Sequence, residues 1–297
     1  MADYTVLYNP LAGNGRGYAQ AQELRALYPD SELDFVDMTE IQDYQEFFDS
    51  LPMGEAVIIC GGDGTINRFI NDSNAAGEKR EILYYATGSG NDFLRDVGKK
   101  RGEAPFIIND YIKDLPLVTV GGKSYRFLNG VGYGIDGYCC EEGDRLREIS
   151  DKPVNYTAIA IKGLLFHYKT TCAEVTVDGV THKYKNVWLA PTMNGRCYGG
   201  GMMPTPDQNR LDDERKVSVM VFHHPGKLKT LMVFPSIFKG EHVKHKSMVE
   251  VLTGRNIEVK FSRPTPLQID GETISGVTGY TVSSGEAAIE REKEGIA

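Results

Sequence analysis

The chain has 297 residues, of which 41% are hydrophobic and 25% charged, an ordinary composition for a globular protein that buries a core in one large or two medium domains. Its formal charge of −8 argues against a nucleic-acid binder driven by phosphate neutralisation. The five cysteines are odd in number and form no C-x-x-C pair, which disfavours a disulfide framework or a zinc site and favours a reducing cytoplasm.

The start, Met1-Ala2-Asp3-Tyr4, lacks a basic and apolar leader pattern, and no run approaches the ~18 uninterrupted apolar residues that span a bilayer. Thr5 to Tyr8 reads as a strand, the Gly-rich stretch to Gly17 as a loop, and Tyr18 to Tyr28 as a helix with Leu24, Leu27 and Tyr28 apolar. Leu33 to Val36 is a second strand, and Tyr44 to Phe48 sits in a helix. Ala56 to Cys60 is a buried strand that runs into Gly61-Gly62-Asp63-Gly64-Thr65, after which Ile66, Phe69 and Ile70 form a helical stripe. Ile82 to Tyr85 is another strand, and a helix starts near Asn91. This alternation predicts a doubly wound parallel α/β sheet covered on both faces. Ligands of such sheets lie beyond the carboxyl ends of the strands, where the Gly-rich segments 9–17, 61–65 and 86–92 would meet.

The pattern changes near residue 115. Leu117 to Val120, Gly121-Gly122 and Tyr125 to Leu128 read as a hairpin. Strand signals follow at Ala173 to Val177, Lys185 to Ala190, Val217 to Phe222, Ile257 to Phe261, Leu267 to Ile269 and Tyr280 to Val282. Helical stretches interrupt near Val154 to Tyr168 and Lys227 to Phe238. The expectation is an α/β nucleotide-binding domain over 1–115 and a mainly antiparallel β-sandwich domain over 116–285, with the charged tail 286–297 returning to the first. No internal repeat or low-complexity linker is present.

Glycine costs backbone entropy, so three glycines in the five residues after a buried strand point to close approach of something to the main chain. Exposed N–H groups at such a turn favour an anion where a helix starts next. Asp63 would repel a bare phosphate, and it makes sense once a divalent cation bridges the two. The segment reads as a nucleotide-phosphate site. The other segments are ambiguous alone. Asn9 to Gly17 is equally a turn cluster, Asn91 or Asp92 equally a helix cap, and Asp270-Gly271 within Gln268 to Glu272 equally a hairpin turn. Arg16 is either a phosphate contact or a solvated loop arginine.

Taken together, these segments resemble the diacylglycerol-kinase catalytic-domain family, which contains bacterial lipid kinases and the sphingosine and ceramide kinases. The matching residues are Asn9-Pro10 with Gly13, Gly61 to Thr65, Gly88 with Gly90-Asn91-Asp92-Phe93, and Asp270-Gly271-Glu272. Asn129-Gly130 with Gly132, and Gly199 to Met202, match weaker positions. Gly-Gly-Asp-Gly-Thr is shared with NAD kinases and phosphofructokinases, whereas the Asn-Pro opening and Gly-x-Gly-Asn-Asp-Phe point to the lipid branch.

The resemblance implies an active site in the cleft between two domains, with ATP as donor and a diacylglycerol-like or sphingoid-like hydroxyl as acceptor. Carried over by position, it implies ATP contacts from Asn9, Pro10, Leu11, Ala12, Gly13, Gly61, Gly62, Asp63, Gly64, Thr65, Asn67, Gly88, Ser89 and Asn91, joined by Thr39. It implies Mg2+ at Asp63 and Asp92, Asp63 and Asp270 as the catalytic acids with Asp270 the general base, and Glu272 as a metal or positioning carboxylate. It also implies a structural metal with Asp213 as its acid. Phosphoryl transfer needs positioning and charge neutralisation more than covalent help, and a carboxylate in reach of the alcohol proton contributes about 10²–10⁴ in rate. The chain departs from the family at Ala86, Ser89, Arg68 and Glu214; Ser89 keeps a hydroxyl, Arg68 reverses a charge, and Glu214 breaks an Asp-Gly turn.

Residues 223–246 hold four of the six histidines with Lys227, Lys229, Lys239, Lys244 and Lys246, beside apolar residues from Leu228 to Phe238. They read either as a normal amphipathic helix or as a basic, apolar surface for an anionic bilayer. The histidines lack metal spacing, and Trp188 reads as core. Met202 and Met203 are candidate lining for acyl chains. The leading expectation is an ATP- and Mg-dependent lipid kinase whose substrate is presented at a membrane or micelle, compatible with peripheral membrane contact and with a homo-oligomer. Its rivals are an NAD-kinase-like enzyme of a soluble substrate and a nucleotide-binding regulator that lost catalysis.

Overall fold

Five strands, β1 (Tyr4–Tyr8), β2 (Leu33–Asp37), β3 (Ala56–Gly61), β4 (Ile82–Ala86) and β5 (Phe106–Ile107), form a sheet ordered β2-β1-β3-β4-β5 in the computed structural model. The structure describes residues 3–73, 79–88, 90–149, 154, 156–285 and 288. The first four strands are parallel: Tyr8 pairs with Asp37 and with Cys60, and Gly61 pairs with Ala86. β5 is a short antiparallel edge strand. Every residue of β3 is buried, as the continuous apolar run of a strand covered on both faces requires. With parallel strands in register, the segments that leave them at Asn9, Met38, Gly62 and Thr87 all depart from one sheet edge.

The segment after β1 differs from the loop and single helix read from the sequence. Ala12–Gly15, Gly17–Ala21 and Leu24–Leu27 are three short helices. Gly17 permits the tight return, since a Cβ there would lie 1.9 Å from the Asn9 carbonyl oxygen. Farther on, Asp43 caps helix Tyr44–Ser50 by accepting from the N–H groups of Gln45 and Glu46. Arg80 closes the other end of that helix, donating to the carbonyls of Phe48, Leu51, Pro52 and Glu55.

These elements make one unit, residues 1–113, and the rest of the chain makes a second, 114–297. The second holds β6 (Leu117–Val120), β7 (Lys123–Arg126), β8 (Gly130–Tyr133), β9 (Thr171–Val177), β10 (Val180–Leu189), β11 (Thr192–Met193), β12 (Val217–His223), β13 (Val249–Gly254), β14 (Asn256–Ile269) and β15 (Glu272–Ser283). Their pairings are antiparallel, in the order β7-β6-β15-β14-β8-β11-β12-β10-β9, with β13 beside β12. The two strands read at Ile257 to Phe261 and Leu267 to Ile269 are one long strand. Its first half pairs with β9 and its end with β8, with a register shift between Lys260 and Thr265, next to Pro264. The walls of the expected sandwich are thus joined through β14 into a closed ring around a core that includes Val131, Tyr133, Val175, Val219, Val259 and Leu267.

The longest described helix, Ile135–Ile149, escaped the periodicity reading. Its buried positions are Ile135, Asp136, Gly137, Cys139 and Gly143, so the inner face has almost no apolar stripe. A Cβ on Gly137 would lie 2.1 Å from the Pro266 carbonyl oxygen, and one on Gly143 would lie 2.6 Å from the Tyr156 ring. The stretch read as Val154 to Tyr168 is described as a helix over Tyr156–Lys162 and a wider turn over Gly163–His167. That read as Lys227 to Phe238 is a helix only to Val233, followed by a tighter 3-10 segment, Phe234–Lys239, that contains Pro235. Trp188 is core, and its Nε1 donates to the His224 carbonyl at 2.9 Å. The tail 286–297, except Ala288, lies outside the described residues. No described helix is long and apolar enough to cross a membrane.

Candidate active site

In the first unit, the two glycine segments that follow β3 and β4 pack backbone against backbone. A Cβ on Gly88 would lie 2.5 Å from the Gly62 Cα, and one on Gly62 would lie 3.0 Å from the Gly90 carbonyl oxygen. The Gly61 carbonyl accepts from Thr87 N–H, Gly88 N–H and the Tyr84 hydroxyl. Gly61 makes room for Thr65, whose Oγ1 would lie 2.2 Å from a Cβ. Gly61, Gly62 and Gly88 therefore allow close approach of neighbours in the chain itself. Gly64 and Gly90 are different: among the described residues nothing lies within 4 Å of a Cβ at either, which leaves room there for approach from outside.

Asp63 is the hub of this edge. It is buried at the start of helix Asp63–Asp72 and reaches across to a second helix, Asp92–Asp96. One carboxylate oxygen accepts from Asp92 N–H at 2.7 Å, the other from Phe93 N–H at 3.4 Å. The N-cap read at Asn91 or Asp92 is thus supplied by an acid 29 residues away. Asn91 instead donates its Nδ2 to the Gly88 carbonyl at 2.8 Å. Its Oδ1 is buried and has no hydrogen-bond partner among the described residues. Asp92 is buried next to Asp63.

This set fits a magnesium–nucleotide pair. Magnesium takes one or two carboxylates and completes its shell with water and phosphate oxygens; Asp63 and Asp92 are both buried, the Asp92 N–H bonds the Asp63 carboxylate, and the orphaned amide oxygen belongs to the next residue in the chain, Asn91. The remaining predicted contacts lie at the same edge. Asn9 Oδ1 accepts from Leu11 N–H at 3.0 Å, and Leu11 is 76% exposed after Pro10. Gly13, at φ +60°, needs its missing side chain because a Cβ would lie 2.5 Å from Gln20 Oε1. Arg16 is exposed in the loop, as the solvated-arginine reading expects, and its Nε donates to the Gly13 carbonyl at 3.2 Å. Thr39 donates both N–H and hydroxyl to Asp37 Oδ1. Asn67 lies one helical turn beyond Asp63, and its carbonyl accepts from Asn71. Arg68 forms an exposed i,i+4 pair with Asp72 at 3.1 Å, worth about 0.3–0.5 kcal/mol. Ser89 lies outside the described residues.

In the second unit, Asp270-Gly271 is a two-residue hairpin turn joining β14 to β15, with φ of +46° and +103°. The Asp270 carboxylate accepts from three consecutive N–H groups, Leu128 at 2.5 Å, Asn129 at 2.8 Å and Gly130 at 3.0 Å. Residues 128–130 are gripped from the other side by Arg210, a buried residue that donates to the Leu128 carbonyl and to Asn129 Oδ1. Asn194 adds a bond to the Leu128 carbonyl. Glu272 is exposed at the start of β15. Gly199, Gly200 and Gly201 all have positive φ, in a loop closed by paired hydrogen bonds between Tyr198 and Met202.

Around Asp213 the structure places charged neighbours. Asp213 is exposed in a turn where Glu214 pairs with Lys216, and the Arg215 guanidinium lies in the same turn. Among the described residues no three His, Cys, Asp or Glu side chains converge on a metal position. The Glu in place of the expected glycine turns its carboxylate to a lysine.

Asp136 is a buried acid that the sequence reading passed over. The Tyr198 hydroxyl donates to its Oδ2 at 2.9 Å, and burial raises its carboxyl from the ordinary 3.8 to about 6. The signal was present: Gly130, Gly132, Gly134 and Gly137 surround an acid just after a strand, the same texture as residues 61–65.

Two families match the chain in succession. Diacylglycerol kinase catalytic domain covers residues 3–116, and YegS C-terminal NAD kinase beta sandwich-like domain covers residues 129–287. Among curated proteins, the chain is 25% identical over 271 residues to a diacylglycerol kinase of Mycobacterium tuberculosis (strain ATCC 25618 / H37Rv), spanning 88% of this chain and 85% of that one. It is 24% identical over 231 residues to a diacylglycerol kinase of Bacillus subtilis (strain 168), spanning 73% and 71%. A crystal structure of a diacylglycerol kinase from Bacillus anthracis str. Sterne shares the fold, with a TM-score of 0.55 at 19% identity over 94% of this chain and 92% of that one.

Proposed function

The chain belongs to the diacylglycerol kinase family, and on that basis we propose that it transfers the γ-phosphoryl group of ATP to the free hydroxyl of a diacylglycerol-like or sphingoid-like lipid. The observation that carries this reading is the gathering of Asn9, Gly64, Gly90 and the buried acids Asp63 and Asp92 at one edge of a parallel sheet. Open backbone at Gly64 and Gly90 would hold phosphate oxygens, and the helix that starts at Asp63 favours an anion at its N-terminus. Asp63 and Asp92 would hold Mg2+, which when bound neutralises phosphate charge. Asn91 Oδ1 would accept from the nucleotide or its water shell.

The second unit would supply the acceptor end. Asp270 would take the proton of the lipid hydroxyl on a carboxylate oxygen. Its three bonds from residues 128–130 fix that oxygen's direction before substrate arrives. The surface of the same unit suits a lipid interface. Phe166, Leu228 and Met232 are 75%, 71% and 67% exposed, on elements tied together by the Lys227 ammonium, which donates to the Leu165 carbonyl. Residues 223–246 carry five lysines and one glutamate in a chain whose total is −8. The amphipathic-helix alternative leaves such apolar exposure unexplained. His242 takes no part in this surface, being fully buried with Nε2 against the Pro204 carbonyl.

The deciding experiment is transfer of labelled γ-phosphate from ATP to a lipid panel in micelles, with NAD and other soluble nucleotides alongside. Label in a lipid supports the reading. Label only in NAD assigns a soluble substrate, and nucleotide binding without any transfer assigns a regulator.

A further inference from the structure

A line of side chains leads from the buried start of helix Ile135–Ile149 to the turn that carries Asp270. Gln268 of β14 pairs with Gly132 of β8. A Cβ on Gly132 would lie 1.8 Å from Asp136 Oδ2 and 2.5 Å from Gln268 Nε2, so carboxylate and amide share the space over that glycine. There the Gln268 amide favours the charged form of Asp136, as does the Tyr198 hydroxyl at 2.9 Å. At the other end of the amide, Gln268 Oε1 accepts from Gly271 N–H at 2.7 Å.

A primary amide has one donor end and one acceptor end, and an ionised carboxylate takes donors only. Ionised Asp136 therefore draws Nε2 toward itself and turns Oε1 toward Gly271. A protonated Asp136 offers its own O–H, which leaves the amide free to reverse and Gly271 N–H without its acceptor. The turn depends on such support, because Asp270 is a non-glycine residue at φ +46°.

We infer that Asp136 is a positioning residue for phosphoryl transfer, holding the Asp270–Gly271 turn through the orientation of the Gln268 amide. The catalytic half of this inference rests on Asp270 as the base; the linkage from Asp136 to Gly271 does not. The titratable groups that face Asp136 are Cys139 and Cys140 of its own helix, Tyr198, Tyr168, and Tyr280 of β15. Burial raises all five, so they stay neutral while Asp136, at about 6, changes charge.

The test follows the Gly271 amide signal by NMR across pH in the full chain, beside the pH profile of kcat for lipid transfer. In the wild type both change with one midpoint, that of Asp136. Tyr198→Phe removes a donor that favours the ionised form, so both midpoints move to higher pH. Asp136→Asn abolishes both inflections and lowers kcat about tenfold to a hundredfold, with the KM for ATP unchanged. A Gly271 signal that still titrates in Asp136→Asn, or a midpoint unmoved in Tyr198→Phe, overturns the linkage. A kcat inflection retained in Asp136→Asn at the wild-type Gly271 midpoint overturns the positioning role. If Gly271 titrates as stated while no lipid is phosphorylated, the linkage is upheld and the kinase reading fails.

Discussion

Asp63 and Asp270 each hold backbone N–H groups as well as standing where the chemistry is assigned, and substitutions separate the two duties. Asp63→Ala removes the cap of helix Asp92–Asp96 and costs about 0.5–2 kcal/mol of stability, read as a lower midpoint in denaturant. Asp63→Asn keeps an oxygen for the Asp92 N–H while losing the charge. It is expected to remain folded and lose Mg-dependent transfer; normal turnover in that variant would remove Asp63 from the metal site. Asp270→Asn behaves differently, because an amide NH2 then faces backbone N–H donors. It is expected to lose about 1–3 kcal/mol along with activity, so thermal unfolding must accompany the assay. An unchanged melting temperature in Asp270→Asn would show that its bonds to residues 128–130 carry no stability.

Between elements, glycine sets the distances. Gly88→Ala places a methyl group 2.5 Å from the Gly62 Cα, where only backbone movement relieves the clash. It is expected to destabilise the first unit by about 1–3 kcal/mol and to weaken ATP binding, measured by calorimetry. Gly64→Ala, with open space at the same test position, leaves stability nearly unchanged and weakens ATP binding alone. ATP affinity unchanged from the wild type in both variants would place the phosphates elsewhere. The same device explains the element that sequence reading missed. A helix whose buried face reads Ile135, Asp136, Gly137, Cys139, Gly143 packs by bringing backbone close to β14 and Tyr156, and that leaves no apolar stripe to count. By contrast β3, with six consecutive buried residues, announces itself through composition alone.

Across the whole molecule, each unit has its own core: Val6, Ile58 and Leu83 in the first, Val131, Val219 and Val259 in the second. A ligand of the first unit is therefore expected to raise only that unit's unfolding transition, by about 2.7 kcal/mol at roughly 100 times the dissociation constant of Mg-ATP. Scanning calorimetry checks this, and a shift confined to the second unit would misplace the nucleotide. The charge asymmetry makes a separate claim. The wild type is expected to sediment with anionic vesicles and not with neutral ones, less so as salt is added. Leu228→Ser with Met232→Ser abolishes that binding without altering ATP affinity. Vesicle binding that survives the double change would assign membrane contact to another face.

The parallel sheet of the first unit and the sheet edge where the glycine segments leave it were legible in the chain, because burial patterns within five to ten residues are local properties of sequence. The duties of the acids were not. Asp63 caps a helix 29 residues away, and Asp270 binds N–H groups more than 100 residues away. Whether a carboxylate meets a backbone donor, a lysine or solvent depends on which segments folding brings beside it. Only the tertiary structure could give Asp63 and Asp270 their partners.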